Sequence, residues 1–506
     1  MATTNPAPQA ESSAWSGTAI VAVIATAVAL AHLLTNGRYG FHRDELQTLS
    51  DALHLDWGFV AYPPFTPFVE RISMAMFGTS LVGLRLFSVI ASAAAVVLTG
   101  RMAAEAGGGR WAQATAALAV ALSPLPLFEG TEFQYTTFDY LWWVLIAWLV
   151  MKLLNSANPR WLVPIGAAIG IGLQTKYTMA FYVAGIIAGM VLTPARRYFL
   201  SRWFWAGAAL AGIIFLPNLI WQFRHGFISL HFLQSIHARD VGEGRAQHFW
   251  SYQLLVNISR VAAPLALIGL AVSMAQRRYR MLACMYLVPL LVMAIAKGRF
   301  YYVGAAYPML IALGAAAAER GLSLLPRMWR WCVEGGYLAG LIAWGVLTST
   351  VVLPLAAAGP LRVRALANNG DLREEIGWDD LVRAVAGVRD SLPPEQQRSL
   401  GVLVGNYGEE GAIEVMGRAY GLPTPISTTN SAWLRGYPLS PPQTLIVVGH
   451  SRRWLEKNFT ACRVAGHNGN SLGVHNEEAD DHPDIFVCGP PLLPWPEFWA
   501  QNLSYG

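Results

Sequence analysis

The feature that most constrains this chain is a series of apolar blocks whose connections gather arginine and lysine at every second junction. About eleven blocks can be read, at roughly 17–34, 80–100, 111–127, 138–154, 161–174, 177–193, 203–220, 253–275, 281–296, 301–318 and 331–353. A largely apolar segment of about 20 residues is what a hydrocarbon layer some 30 Å thick requires. Inside that layer the backbone has to satisfy its own hydrogen bonds, so each block is expected as a helix. Only 13% of the 506 residues are charged, against about 25% in an average soluble domain. The expected fold is therefore a polytopic α-helical membrane protein.

Charge gives the expected orientation. The connections after alternate blocks carry Arg101 and Arg110, then Lys152 and Arg160, Arg196, Arg197 and Arg202, Arg277, Arg278 and Arg280, and finally Arg320, Arg327 and Arg330. Only Glu105 and Glu319 oppose them. Cytoplasmic loops collect such cations, so the N-terminus is read as cytoplasmic and the odd loops and tail as exterior. The tail from residue 355 holds 17 acidic and 12 basic side chains. The pI near 9.0 thus reflects membrane topology, and nucleic acid is not an expected partner. Residues 1–16 read as a disordered cytoplasmic N-terminus. The first block has no basic region ahead of it, so it reads as an uncleaved helix rather than a signal peptide.

Residues 17–354 read as the membrane module, with a first exterior loop at 35–79, and 355–506 as an exterior soluble α/β domain. Within the tail, β-type runs occur at 400–404, 444–448 and 484–487, with helical patterns at 379–391 and 409–420. Gly405-Asn406-Tyr407-Gly408 lacks the dinucleotide glycine spacing, and Glu409-Glu410 would repel a phosphate. Cys462 and Cys488 are the only tail cysteines; a disulfide and two free thiols both remain open. In the first exterior loop, 67–74 is amphipathic and suits a helix lying in the membrane interface. Gly166, Gly170 and Gly172 would let helices pack closely.

Ionisable groups collect at the ends of blocks on one expected face. The acids are Asp44, Glu45, Glu129, Glu132 and Asp139; the bases are Arg43, Lys176, Arg224, Lys297 and Arg299. Charge beside lipid is costly and by default marks chemistry or transport. Cations there suit an anionic ligand such as a lipid phosphate, and a carboxylate suits activation of a hydroxyl nucleophile. Together they fit glycosyl transfer from a lipid phosphate. Plainer readings stand beside each residue: a helix cap for Asp44, a partner of Arg43 for Glu45, and a helix-dipole acid for Asp139. Lys176 would snorkel, Lys297 and Arg299 would flank a span, and Tyr301 and Tyr302 would belong to an aromatic belt. A lipid or solute transporter is the alternative from another class. It expects charges near the midplane and an internal repeat, and neither is evident in the sequence. Two acids and distant histidines define no metal site, which leaves Mg or Mn dependence open.

Four motifs recur in one order: Arg43-Asp44-Glu45, Tyr62-Pro63-Pro64-Phe65, Gly172-Leu173-Gln174-Thr175-Lys176-Tyr177 and Tyr302-Val303-Gly304-Ala305-Ala306-Tyr307-Pro308. In these the chain resembles the GT-C membrane glycosyltransferases of the family 39 type, over about residues 16–320. That group includes protein O-mannosyltransferases, lipid A aminoarabinose transferases and bacterial members of unassigned substrate. The resemblance implies a polyprenyl-phosphate sugar donor, inversion at the anomeric carbon, and an envelope glycan or lipid acceptor outside the cytoplasmic membrane. It implies Asp44 as catalytic base, with Glu45 and Asp139 beside it, and Lys176, Lys297, Arg299 and Arg43 as donor-phosphate contacts. Tyr62, Pro63, Pro64, Tyr301 and Tyr302 would line the substrate cavity. Tyr62 stands where the aminoarabinose transferases commonly carry Lys, which speaks against aminoarabinose as the sugar.

Overall fold

The computed structural model describes residues 9–506, with side chains from residue 16 onward. The first helix, Gln9–Thr35, begins inside the segment read as disordered; residues 1–8 lie outside the described residues. Among the described residues, six helices are long and apolar enough to cross a membrane: Ser16–Thr35, Leu81–Glu105, Tyr135–Ser156, Arg202–Arg224, Phe300–Leu322 and Arg327–Val352. Met179–Leu192 and Pro194–Leu200, bent by 103° at their junction, make a seventh if taken as one span. Helices of this length and apolarity thus account for six or seven of the about eleven expected spans. The blocks at 111–127, 161–174, 253–275 and 281–296 fold as shorter pieces: Arg110–Ala121, Leu162–Leu173, Ala263–Ala275 and Arg280–Ile295. At 1.5 Å per residue, pieces of 12 to 16 residues reach only about 18–24 Å, short of a full hydrocarbon layer.

The chain forms two compact units, which divide at Leu355/Ala356 and also exchange two earlier segments. One unit takes the chain up to Asn36 with Arg85–Ile220 and Arg239–Leu355; the other takes Gly37–Leu84, Trp221–Ala238 and Ala356–Gly506. In the first unit the core is built from helix faces, with Trp143 stacked on Tyr182 at 4.1 Å between ring centroids. Close backbone approach does the rest: a Cβ on Gly166 would stand 2.1 Å from the Gly207 carbonyl oxygen. The long helix Arg327–Val352 leaves Trp329, Trp331, Val346 and Leu347 exposed, as a lipid-facing surface requires.

The second unit is organised on a five-stranded sheet: β1 (Leu400–Val404), β2 (Pro425–Ser427), β3 (Thr444–Val448), β4 (Arg463–His467) and β5 (Asp484–Cys488). Its order is β2-β1-β3-β5-β4. β1 runs parallel to both β2 and β3, while β5 is antiparallel to β3 and β4. The three runs read from sequence are β1, β3 and β5, and the two helical patterns appear as Trp378–Asp390 and Tyr407–Met416. Strand β3 is buried along its whole length, which explains its unbroken apolar run. Cys462 and Cys488 form a disulfide across a separation of 26 residues.

The helix Phe65–Phe77 is turned inside out relative to a soluble helix. Thr66, Glu70 and Ser73 are buried, whereas Phe68, Ile72 and Met76 are exposed. Polar residues inward and an apolar row outward at four-residue spacing suit the membrane interface expected for this segment.

Gly166→Val tests the close-packed seam. The added side chain has to displace the Gly207 carbonyl, so thermal unfolding in detergent should show a loss of about 1–3 kcal/mol.

Candidate active site

Asp44 lies in the first turn of the helix Arg43–Leu53. That turn is held by local chemistry. His42 caps it, with Nδ1 accepting from the Asp44 backbone N–H at 3.2 Å, and Glu45 Oε2 accepts from the His42 N–H at 2.8 Å. Glu45 is fully buried and completes a capping box, so its carboxylate shapes the helix entry rather than facing open space. Asp44 is half-buried. Its Oδ1 accepts from the Tyr407 hydroxyl at 2.9 Å, and among the described residues nothing engages Oδ2. Arg43 pairs with Glu477 and sits over the Tyr407 ring at 5.8 Å.

The far end of the same helix is clamped by a charged network. Asp51 accepts from the Tyr62 hydroxyl at 2.6 Å and pairs with Arg435. Arg435 reaches Glu410 Oε1 at 2.7 Å, and Ser50 donates to the same oxygen at 2.8 Å. Burial pushes the Glu410 carboxyl up to about 7, opposed by Arg435. Tyr62, Pro63 and Pro64, expected to line a substrate cavity, are buried. The Tyr62 ring packs near Phe59 at 5.9 Å, and its hydroxyl is spent on Asp51. The double proline fixes this turn and leads into the helix Phe65–Phe77.

In the other unit Lys176 sits on the tight turn that ends the helix Leu162–Leu173, its N–H bonded to the Gly172 carbonyl at 2.9 Å. Its ammonium lies over three rings, Tyr302 at 4.6 Å, Tyr135 at 5.1 Å and Tyr301 at 5.4 Å. Burial pulls the Lys176 ammonium down to about 8, while Asp139 and Glu129 oppose the loss of charge. Burial likewise pushes the Glu129 carboxyl up to about 7, with Lys176 opposing. Asp139 lies beyond the first turn of Tyr135–Ser156, so it is not a cap. It accepts from Trp143 Nε1 and from the Thr178 hydroxyl, both at 3.0 Å, tying the Lys176 turn to this helix.

Arg299 is already engaged. Its guanidinium grips Asp240 in a fork, Nε to Oδ2 at 2.6 Å and Nη2 to Oδ1 at 2.9 Å, and Nη1 donates to Tyr301 at 3.2 Å. Lys297 is exposed, with φ of 52° at the end of its turn. The expected residues thus separate into an Asp44 group and a Lys176 group, one in each unit. Sequence reasoning missed Tyr407, Asp240 and Arg435, which lie 363, 59 and 384 positions from the groups they bind. Among the described residues, no three His, Cys, Asp or Glu side chains converge as Mg or Mn ligands would.

Over 92% of this chain and 97% of that chain, the structure matches ArnT from Cupriavidus metallidurans bound to undecaprenyl phosphate, with TM-score 0.53 and 14% identity. The apo state of the same protein gives 0.54 over 94% and 98%. The fold is that of the GT-C membrane glycosyltransferases. A family model described as dolichyl-phosphate-mannose-protein mannosyltransferase matches residues 61–221 of this chain. Among curated proteins, the lipid A galacturonosyltransferase RgtD of Rhizobium johnstonii is 27% identical over 205 residues, 40% of this chain and 43% of that protein. The matched stretch therefore spans less than half of that relative.

Arg435→Ala tests the clamp on the Asp44 helix. Breaking one partner of a buried pair costs several kcal/mol, but Glu410 can escape by protonation. The loss should be about 3 kcal/mol in thermal unfolding of the full chain, and smaller for Arg435→Lys.

Proposed function

We propose that this protein is an inverting glycosyltransferase that moves a sugar from a polyprenyl-phosphate donor to an acceptor hydroxyl of an envelope glycolipid. The observation that carries this reading is the hydrogen bond from Tyr407 to Asp44 Oδ1, with no hydrogen bond to Oδ2 among the described residues. Such a carboxylate is oriented to take a proton from an incoming hydroxyl. The acceptor oxygen then bonds to the anomeric carbon as the bond from that carbon to the phosphate oxygen breaks. The proton passes to Asp44, and polyprenyl phosphate leaves.

Lys176 is the group we assign to the donor phosphate. It is a protonated amine walled by tyrosines, with carboxylates behind it that favour its charge. Negative charge that develops on a leaving phosphate is stabilised by such a fixed cation. Arg299 contributes by fixing Tyr301, and Asp139 by anchoring the Lys176 turn through Thr178. Glu45 sets the aim of Asp44 through the helix cap.

The nature of the donor is supported by the undecaprenyl phosphate bound to the fold neighbour, and a lipid A-type acceptor by the name of the curated relative. The alternating arginine-rich connections support an N-terminus in the bacterial cytoplasm, with the Asp44 loop and the C-terminal domain outside, in the periplasm.

Asp44→Asn should lower release of polyprenyl phosphate from a radiolabelled donor by about 10²–10⁴-fold in lipid nanodiscs; full activity in a folded variant rejects the reading. The pH dependence follows from Lys176, which is charged below about 8 and neutral above it. Donor KM should therefore rise as pH climbs through that value. Lys176→Gln should raise KM below about pH 8, where the wild-type amine is charged, and abolish the rise; a KM that ignores pH in the wild type removes Lys176 from the donor site.

A further inference from the structure

The carboxyl ends of β1 and β3 form the switch point of the soluble sheet, since β1 lies between β2 and β3 in the order. In open α/β sheets this edge is where ligands bind. Here the usual anion is shut out by the chain itself. Asn406 Oδ1 accepts from the Glu409 N–H at 2.9 Å, and the Glu409 carboxylate accepts from the N–H groups of Gly405 and Asn406 at 3.0 and 3.2 Å. What the edge presents instead is Tyr407, three residues past the end of β1.

We propose that Tyr407, supplied by the C-terminal α/β domain, is the positioning residue for Asp44, fixing the carboxylate so that Oδ2 alone meets the acceptor hydroxyl. The inference rests on the reading of Asp44 as general base. Three observations support it. The hydrogen bond between them is 2.9 Å. Burial, with the Asp44 charge beside it, pushes the Tyr407 phenol above its ordinary range, so the group keeps its proton and donates.

The third observation is that the two helices are locked in register. A Cβ on Gly411 would stand 2.2 Å from the Leu46 carbonyl oxygen, so these backbones touch. Ser50 and Asp51 are held at the far end by Glu410 and Arg435. Neither helix can slide or roll without breaking one of these contacts. The family match ends at residue 221, so this assigns to the C-terminal domain a part in the chemistry.

The test uses the full chain in nanodiscs with a radiolabelled polyprenyl-phosphate sugar, comparing wild type, Asp44→Asn, Tyr407→Phe, Tyr407→His and Ile413→Val. Tyr407→Phe should lower kcat about 10–100-fold with donor KM unchanged. Tyr407→His, which retains a ring N–H donor, should recover part of that loss. Ile413→Val, on the buried face of the same helix, should lower thermal stability while leaving kcat intact. Equal kcat for wild type and Tyr407→Phe overturns the proposal, as does a change confined to KM. Equal kcat for the Phe and His variants, or a matching loss in Ile413→Val, assigns the effect to helix stability and overturns it too. Failure of the wild type to release polyprenyl phosphate from any donor is a separate result, and it removes the glycosyltransferase reading itself.

Discussion

The contact between two helix backbones, at the Leu46 carbonyl and Gly411, is the constraint on which the proposed chemistry depends. A residue with a Cβ at 411 would hold the helices apart, and the Tyr407 hydroxyl would no longer reach Asp44. The charged clamp of Asp51, Arg435, Glu410 and Ser50 then sets the angle at which the helices lie. Buried ion pairs of this kind contribute little net stability, because desolvation offsets their attraction. Their effect is to make one arrangement far better than its neighbours, and that is what a positioned carboxylate needs.

Lys176 solves the opposite problem in its own unit. An ammonium beside lipid tends to lose its proton, and burial does draw it toward neutrality. Three tyrosine faces and two carboxylates restore part of the charge without occupying the amine in a tight ion pair. Arg299 shows the contrast. Its guanidinium cannot be neutralised and is closed into a fork with Asp240, which leaves it a structural cation. Of two cations read alike from the sequence, Arg299 is closed into an ion pair, whereas Lys176 lies over tyrosine rings.

Much of this was legible in the chain itself. The apolar runs at 400–404, 444–448 and 484–487 and the amphipathic stretch at 67–74 fall within strands β1, β3 and β5 and the helix Phe65–Phe77. Asp44 stood out because a carboxylate at the end of an apolar block has no packing reason to be there. The Tyr62 hydroxyl meets a partner that the sequence did not indicate. An aromatic residue before a double proline looks alike whether its hydroxyl meets a ligand or an internal carboxylate, and only its neighbour Asp51 decides. Glu45 was ambiguous in the same way until the capping box showed where its oxygen points.

The sequence by itself determined that this is a multi-pass membrane protein with an α/β tail. Apolar block length and charge placement are local properties that lipid enforces residue by residue. It also marked Asp44 and Lys176, because ionised groups in such places carry a cost that must be met. Only the tertiary structure decided that residues 37–84 and 221–238 belong with the tail, and that Tyr407 holds Asp44. Those contacts join positions hundreds of residues apart, and no periodicity or spacing along the chain records which distant donor a carboxylate will find.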